Sequence, residues 1–311
     1  MTRSSLVPLL GLLVACGEHQ AHWPDAAPAN RCDAGAFASG PIVVDVKMPD
    51  RSRQALAWVP RGAGKKDVVF DLHEFRSEPQ RQAYYSNWAQ THEAANVILV
   101  APDGKSSTWN AGKCCGAAVE QSIDDVAFLN ALAKRIDDVA CTSGRVLATG
   151  IGNGGMMAER WACESDVPDA LISVGGALQL ETCTRTRPIP VLHYHGDQDK
   201  FVPPDGSAGV LEGGLPGGRT RPVKDAIATW VALDGATPDA PDVAGALTCS
   251  KWQGLAPVLD CRIAGGADTW PGGANGKVAS TSPLADATSG GLAWARALWD
   301  APTSDSGEHK P

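Results

Sequence analysis

Short apolar runs alternate along this chain with stretches in which apolar residues recur every three or four positions. The runs predict strands at 42–46, 56–59, 68–72, 97–101, 146–149, 171–174 and 191–194. The periodic stretches predict helices at 83–95, 123–136, 155–163, 223–233 and 290–299. In the second of these, Ile123, Val126, Leu129, Leu132 and Ile136 line up on one face, the mark of a helix lying on a core. Strands that alternate with helices imply a mostly parallel central sheet with helices on both faces. The first two strands follow each other with no helix between them, so they are expected as an antiparallel edge. Residues 203–222 are rich in Gly and Pro and read as a surface loop. A single α/β domain is expected over 41–300.

The ends read differently. Arg3 precedes an apolar stretch at 6–15 that ends in Leu13-Val14-Ala15-Cys16. That length suits a signal peptide and is too short to span a bilayer. Small residues before a cysteine fit a bacterial lipoprotein signal at 1–16, with Cys16 lipidated; an ordinary signal peptide with a chance cysteine is the alternative. Residues 17–40, rich in Ala, Pro and polar side chains, read as a flexible tether, and 301–311 as a disordered tail. The chain is therefore expected in the cell envelope or outside the cell, touching a membrane only through its lipid anchor.

The net charge of −8 argues against nucleic acid, whose phosphates need a basic surface. Of nine cysteines, eight remain after Cys16: Cys32, Cys114, Cys115, Cys141, Cys163, Cys183, Cys249 and Cys261. An even number in an exported chain reads as disulfides, and the absence of any CxxC pair disfavours a metal site. Cys249 and Cys261 flank a Pro-containing segment that a hairpin would close, so they are expected to pair. Cys163 is expected to bond Cys183, because the helix and the strand after it lead back to one neighbourhood. One of Cys114 and Cys115 is then expected on Cys141 and the other on Cys32.

Residues 145–159 carry the densest signal. A short strand runs through Gly150, Gly152, Gly154 and Gly155 into a helix. This is the setting of a nucleophile elbow, G-x-S-x-G, in which flanking glycines allow strand and helix to pack around a strained turn. The middle position, which presents the nucleophile, is Gly152. Reading Gly150, Gly152 and Gly155 as a dinucleotide loop is the alternative, but it falls mid-chain rather than in the first βαβ unit.

Several blocks stand around the elbow in a telling order. They are Leu72-His73, then Trp109-Asn110-Ala111-Gly112-Lys113-Cys114-Cys115-Gly116, then Asp124 to Leu129. After the elbow, with Met156-Met157 and Ala162-Cys163, come His195-Gly196 to Asp199 with Val202-Pro203, and Gly265 to Gly272 around Asp268 and Trp270. In this order the chain resembles the extracellular polyhydroxybutyrate depolymerase and feruloyl-esterase-like branch of the α/β-hydrolases. The resemblance implies an α/β-hydrolase fold, a secreted serine esterase acting on polyester or hydroxycinnamoyl esters, and no metal or organic cofactor.

Carried over residue by residue, the site is broken. The family's serine falls on Gly152, its histidine on Asp268 and its acid on Asp199, which is kept. Its His-Gly pair, which shapes the oxyanion hole, falls on His73-Glu74. Acyl transfer needs a hydroxyl, an imidazole to take its proton, a carboxylate to orient the imidazole, and oxyanion donors. Two of these are gone, and Glu74 would set negative charge where an oxyanion forms. The expectation is a pseudo-esterase with a ligand groove formed by Trp109, Asn153, Trp270, His73 and Glu74; an active carboxylic ester hydrolase with an atypical site is the alternative. The expected ligand is a polyester or a plant cell-wall ester or polysaccharide. Asp199, Asp268 and Glu74 are expected as solvated carboxylates rather than a cation site, and His193 and His195 as packed residues.

Overall fold

The structure is a computed structural model that describes residues 20–49, 51–210 and 216–301. The expected signal peptide with Cys16, and all but one residue of the expected tail, lie outside the described residues.

The chain begins with β1 (Ile42–Lys47), β2 (Ser52–Trp58) and β3 (Lys66–Leu72), followed by α1 (Pro79–Tyr85), α2 (Trp88–Ala95) and β4 (Val97–Pro102). Next come α3 (Gly116–Glu120), α4 (Asp125–Val139), β5 (Thr142–Ile151), α5 (Asn153–Glu164), β6 (Ala170–Val174) and β7 (Val191–Gly196). A small hairpin of β8 (Ala208–Val210) and β9 (Pro216–Arg219) precedes α6 (Val223–Leu233). The chain closes with β10 (Thr237–Ala244), β11 (Leu247–Gln253), β12 (Val258–Ile263) and α7 (Ser289–Trp299).

Ten strands form one sheet in the order β1-β2-β4-β3-β5-β6-β7-β12-β11-β10. The centre, from β4 to β12, is parallel, and an antiparallel hairpin extends each edge. Strand alternation divides the core into two layers. Val68, Phe70 and Leu72 face α4, α5 and α6, where Phe128, Trp161 and Trp230 pack; Val69 faces α1, α2 and α7, with Trp88 and Leu292. This is the mostly parallel sheet with helices on both faces expected from the strand–helix alternation, in the α/β-hydrolase arrangement that the resemblance implies.

The differences from expectation have local causes. The helix expected over 83–95 is broken at Asn87, whose left-handed φ of 64° separates α1 from α2. The 203–222 loop carries the β8–β9 hairpin rather than irregular chain alone. Residues 20–40 are not a free tether. Trp23 is 5% exposed, stacks on Phe37 at 5.1 Å, and its backbone N–H donates to the Val43 carbonyl at 2.7 Å. Composition alone suggested a linker; one buried tryptophan and one cysteine hold the segment down instead. Cys32 bonds Cys141, and Cys114 bonds its neighbour Cys115, so the expected linkage of Cys114 or Cys115 to Cys141 is corrected. The Cα atoms of Cys32 and Cys141 stand 5.0 Å apart, within disulfide reach. Cys163–Cys183 and Cys249–Cys261 pair as expected, the latter directly opposite each other across β11 and β12.

Near the site end of β3, buried Asp71 accepts hydrogen bonds from Gln82 Nε2 at 2.9 Å and Ser86 Oγ at 2.6 Å. Burial raises its carboxyl from the ordinary 3.8 to about 7, against the opposing pull of the two hydrogen bonds. Between these values the folded chain keeps a proton that the unfolded chain has lost, so stability falls as pH rises through that window. Asp71→Asn should flatten this dependence, which amounts to on the order of 1 kcal/mol per pH unit. Denaturant unfolding across the window checks it, and an unchanged slope in the variant would refute it.

Candidate functional site

The C-terminal ends of the parallel strands gather the residues singled out above, as open α/β sheets generally do. His73 and Glu74 follow β3, Gly152 joins β5 to α5, Asp199 follows β7, and Asp268 follows β12. Of these, Glu74, Gly152 and Asp268 border a cavity of about 570 Å³.

The elbow is intact in its backbone. Gly152 has φ 54° and ψ −121°, a conformation open to glycine and strained for other residues. Its N–H donates to the Val174 carbonyl at 2.9 Å, and its carbonyl accepts from Met156 N–H at 2.9 Å. The flanking glycines are required by close approach. A Cβ on Gly150 would lie 2.6 Å from the Gly154 carbonyl carbon, and one on Gly154 would run into the Leu72 and His73 carbonyl oxygens.

What fills the place of a nucleophile is Glu74. A Cβ on Gly152 would stand 2.9 Å from Glu74 Cγ and 3.3 Å from its Oε1. Asp268 is hydrogen-bonded to Glu74 and has Asp199 close by. Burial, then the charges of Glu74 and Asp199, hold the Asp268 carboxyl well above the usual carboxylate range. Asp199 is kept as an orienting acid would be: its Oδ1 accepts from the N–H groups of Phe201 and Val202, both at 2.9 Å. Its Oδ2 lies 3.2 Å from His195 Nε2, but that nitrogen sits 2.7 Å from the Val202 carbonyl, which takes its hydrogen, so Oδ2 accepts no hydrogen bond. The expectation of solvated carboxylates is thus corrected for Asp199, which is 4% exposed.

The other expected groove residues divide. Glu74 and Asn153 line the cavity. Trp109, Trp270 and His73 do not; all three are fully buried, and their work is to hold the backbone around it. Trp109 Nε1 donates to the His73 carbonyl at 2.9 Å, and Asn153 bonds the Trp109 N–H and carbonyl at 2.8 and 3.0 Å. Trp270 Nε1 donates to Thr288 Oγ1 at 2.9 Å. His73 Nε2 accepts from Gly104 N–H at 2.9 Å, so its Nδ1 carries the hydrogen given to the Glu74 carbonyl at 2.8 Å. Burial lowers this imidazole to about 4, which keeps it neutral. His193 and His195 are buried and 3.3 Å apart, packed as expected.

Sequence reasoning missed most of the cavity wall: Phe75, Arg76, Arg81, Tyr85, Phe201 and Arg219, together with the Cys114–Cys115 pair as a wall element. These come from three separate loops, the helix α1 and the strand β9, and no local pattern marks them. Among the described residues lining the cavity there is no histidine, so the hydroxyls of Ser77 and Thr220 have no imidazole base beside them. Among the described residues no group of three His, Cys, Asp or Glu is spaced to hold a metal ion.

No protein-family model matches the chain. It is 28% identical over 201 residues to feruloyl esterase B of Piromyces equi, covering 58% of this chain and 36% of that protein. It is 27% identical over 232 residues to NocK of Nocardia uniformis subsp. tsuyamanensis, named as an esterase, covering 67% and 66% of the two chains. The chain thus spans between about a third and two thirds of the length of these curated relatives. Among solved structures, acetyl xylan esterase from Aspergillus awamori superposes with a TM-score of 0.53 at 14% identity, over 70% of this chain and 90% of that one. The likeness places the chain in the α/β-hydrolase fold, among proteins named as esterases.

Proposed function

We propose that this chain is an exported relative of the polyhydroxybutyrate depolymerases and feruloyl esterases that has lost acyl transfer and kept the cavity as a binding site. One observation carries the reading: at the elbow tip, where a serine would sit, there is Gly152, and the carboxylate side chain of Glu74 fills the space. With Asp268 in place of a base, neither a nucleophile nor a proton acceptor for it remains. Asp199 and the elbow backbone persist without chemistry to serve. The ligand class suggested by the resemblance and by the named relatives is an ester-bearing polymer, a polyester or a plant cell-wall polysaccharide.

The test is direct. The natural protein, incubated with a short p-nitrophenyl ester and with a serine-reactive fluorophosphonate, should release nitrophenol no faster than buffer and take up no label. Labelling of any serine together with turnover at about 1–10³ per second would overturn the reading. Export with a lipid on Cys16 belongs to the same proposal. Cys16→Ser should move the protein from the membrane fraction to the soluble one, and unchanged fractionation would refute the anchor.

A further inference from the structure

Glu74 and Asp268 line the cavity and are hydrogen-bonded to each other, and Asp199, which does not line it, stands close to Asp268. Two carboxyl groups bond each other only through a proton held between them. Asp268 Oδ1 and Asp199 Oδ2 are nevertheless buried and accept no hydrogen bond. Both converge on one spot, 2.9 and 3.5 Å from where a Cβ on Gly175 would stand. A buried acceptor without a donor is costly, and a cluster of carboxyls raises that cost for every one that ionises. Such a cluster favours positive charge bearing N–H donors. An organic ammonium supplies both the positive charge and the N–H donors that these buried acceptors lack. The mouth has the opposite character: Arg76, Arg81 and Arg219 are exposed along it, and Tyr85 and Phe201 supply the apolar wall between.

We propose that the cavity binds a molecule with a primary ammonium group at one end, which replaces the proton between Glu74 and Asp268, and an anionic group at the other, held at the mouth by the arginines. The exchange is simple in its balance. No covalent bond of the ligand forms or breaks; the shared proton leaves to solvent and the ammonium takes its place between two carboxylates. The groups facing the pair are Tyr85 and Arg81 of α1 and Asp199 after β7, with His195 behind Asp199. Burial keeps the Tyr85 hydroxyl above its ordinary range, so it stays neutral while the pair gives up its proton. Asp199, which acts on Asp268 through its charge, strengthens the hold on the ammonium.

The inference rests on the reading of a cavity without acyl transfer, and it names that cavity's ligand chemistry. The probes are para-(aminomethyl)benzoate and para-(hydroxymethyl)benzoate, which offer the same ring and carboxylate and differ only in ammonium against hydroxyl. Titration calorimetry of the full protein, in buffers of different ionisation enthalpy, reads affinity and proton release together. The amine should bind about tenfold tighter or better and release close to one proton, as linkage requires when a cation displaces it. The alcohol should release none. Asp268→Asn should erase both the preference and the release. Equal binding of the two probes, amine binding without proton release, or binding of neither overturns the proposal, and these readings need no variant to fold. Turnover of esters with serine labelling would instead bring down the underlying reading, so the two failures are distinguishable.

Discussion

Gly152→Ser, Asp268→His and Glu74→Gly introduced together should convert the chain into an esterase for short acyl substrates, with a gain of at least about 10³ over the natural protein. The structure supplies the reasons. The elbow already holds the dihedrals of a nucleophile turn, at φ 54° and ψ −121°. Asp199 already has one oxygen anchored by two backbone N–H groups and the other, Oδ2, without a hydrogen bond and close to Asp268, where an introduced imidazole would need its orienting partner. Glu74 is the obstacle, because a serine Cβ at 152 would meet its Cγ at 2.9 Å. Gly152→Ser alone should therefore do nothing for catalysis and cost about 1–3 kcal/mol in stability, from a side chain in a left-handed conformation. Each single change should leave hydrolysis at the water rate, since nucleophile and base act as a unit. Nitrophenyl ester kinetics on all seven combinations check this. A triple variant that folds, holds the new hydroxyl within hydrogen-bond reach of the new imidazole and still fails to hydrolyse would refute the account.

Arg53→Met should be the most damaging single substitution away from the elbow, at about 3–5 kcal/mol. Arg53 is 8% exposed and donates to Asp125 Oδ1 at 2.6 Å and to the Asp103 carbonyl at 3.0 Å, while its guanidinium lies over the Phe128 ring. Asp125 is fully buried, and its other oxygen accepts from Asn110 N–H at 2.7 Å. Burial pushes its carboxyl above the usual range and Arg53 pulls against that, so removing the cation leaves a buried charge with too little compensation. The deficit should shrink as pH falls and the stranded carboxylate takes up a proton. The melting temperature near neutral pH should drop by roughly 10 °C. The loss should also loosen the block from Trp109 to Gly116, which Asp125 ties down through Asn110 and which carries the Cys114–Cys115 wall of the cavity. A drop of less than about 1 kcal/mol would show that the pair is not a structural anchor.

The local pattern of the chain was sufficient for several elements. α6 spans the residues its periodicity marked, and the apolar runs from 42 to 194 each became a strand of the sheet. Cys249 and Cys261 met across a hairpin because twelve residues of chain allow little else. Gly150 and Gly154 announced an elbow, since strand and helix approach so closely there that a Cβ on either would meet backbone atoms. In each case the deciding contacts lie within a few residues, and local sequence carries them.

Other features were decided only when distant segments met. Trp109 and Trp270 look alike in sequence whether they line a cavity or support its backbone; burial by neighbours remote in the chain settled the question. Cys32 and Cys141 are 109 residues apart, so their pairing depended on Trp23 docking the N-terminal segment against the sheet. Glu74 reads as one more loop acid, yet its side chain stands over Gly152, 78 positions away, and bonds Asp268 from the opposite half of the sheet. The character of the site, three carboxyls around an elbow tip without a nucleophile, thus comes from strands β3, β5, β7 and β12 running in one parallel sheet, with β6 between β5 and β7, and their C-terminal ends together. Sequence spacing specifies which face of an element is buried, but the partner across the gap is chosen by the topology of the sheet, because only packing brings residues so far apart in the chain within a few ångströms of each other.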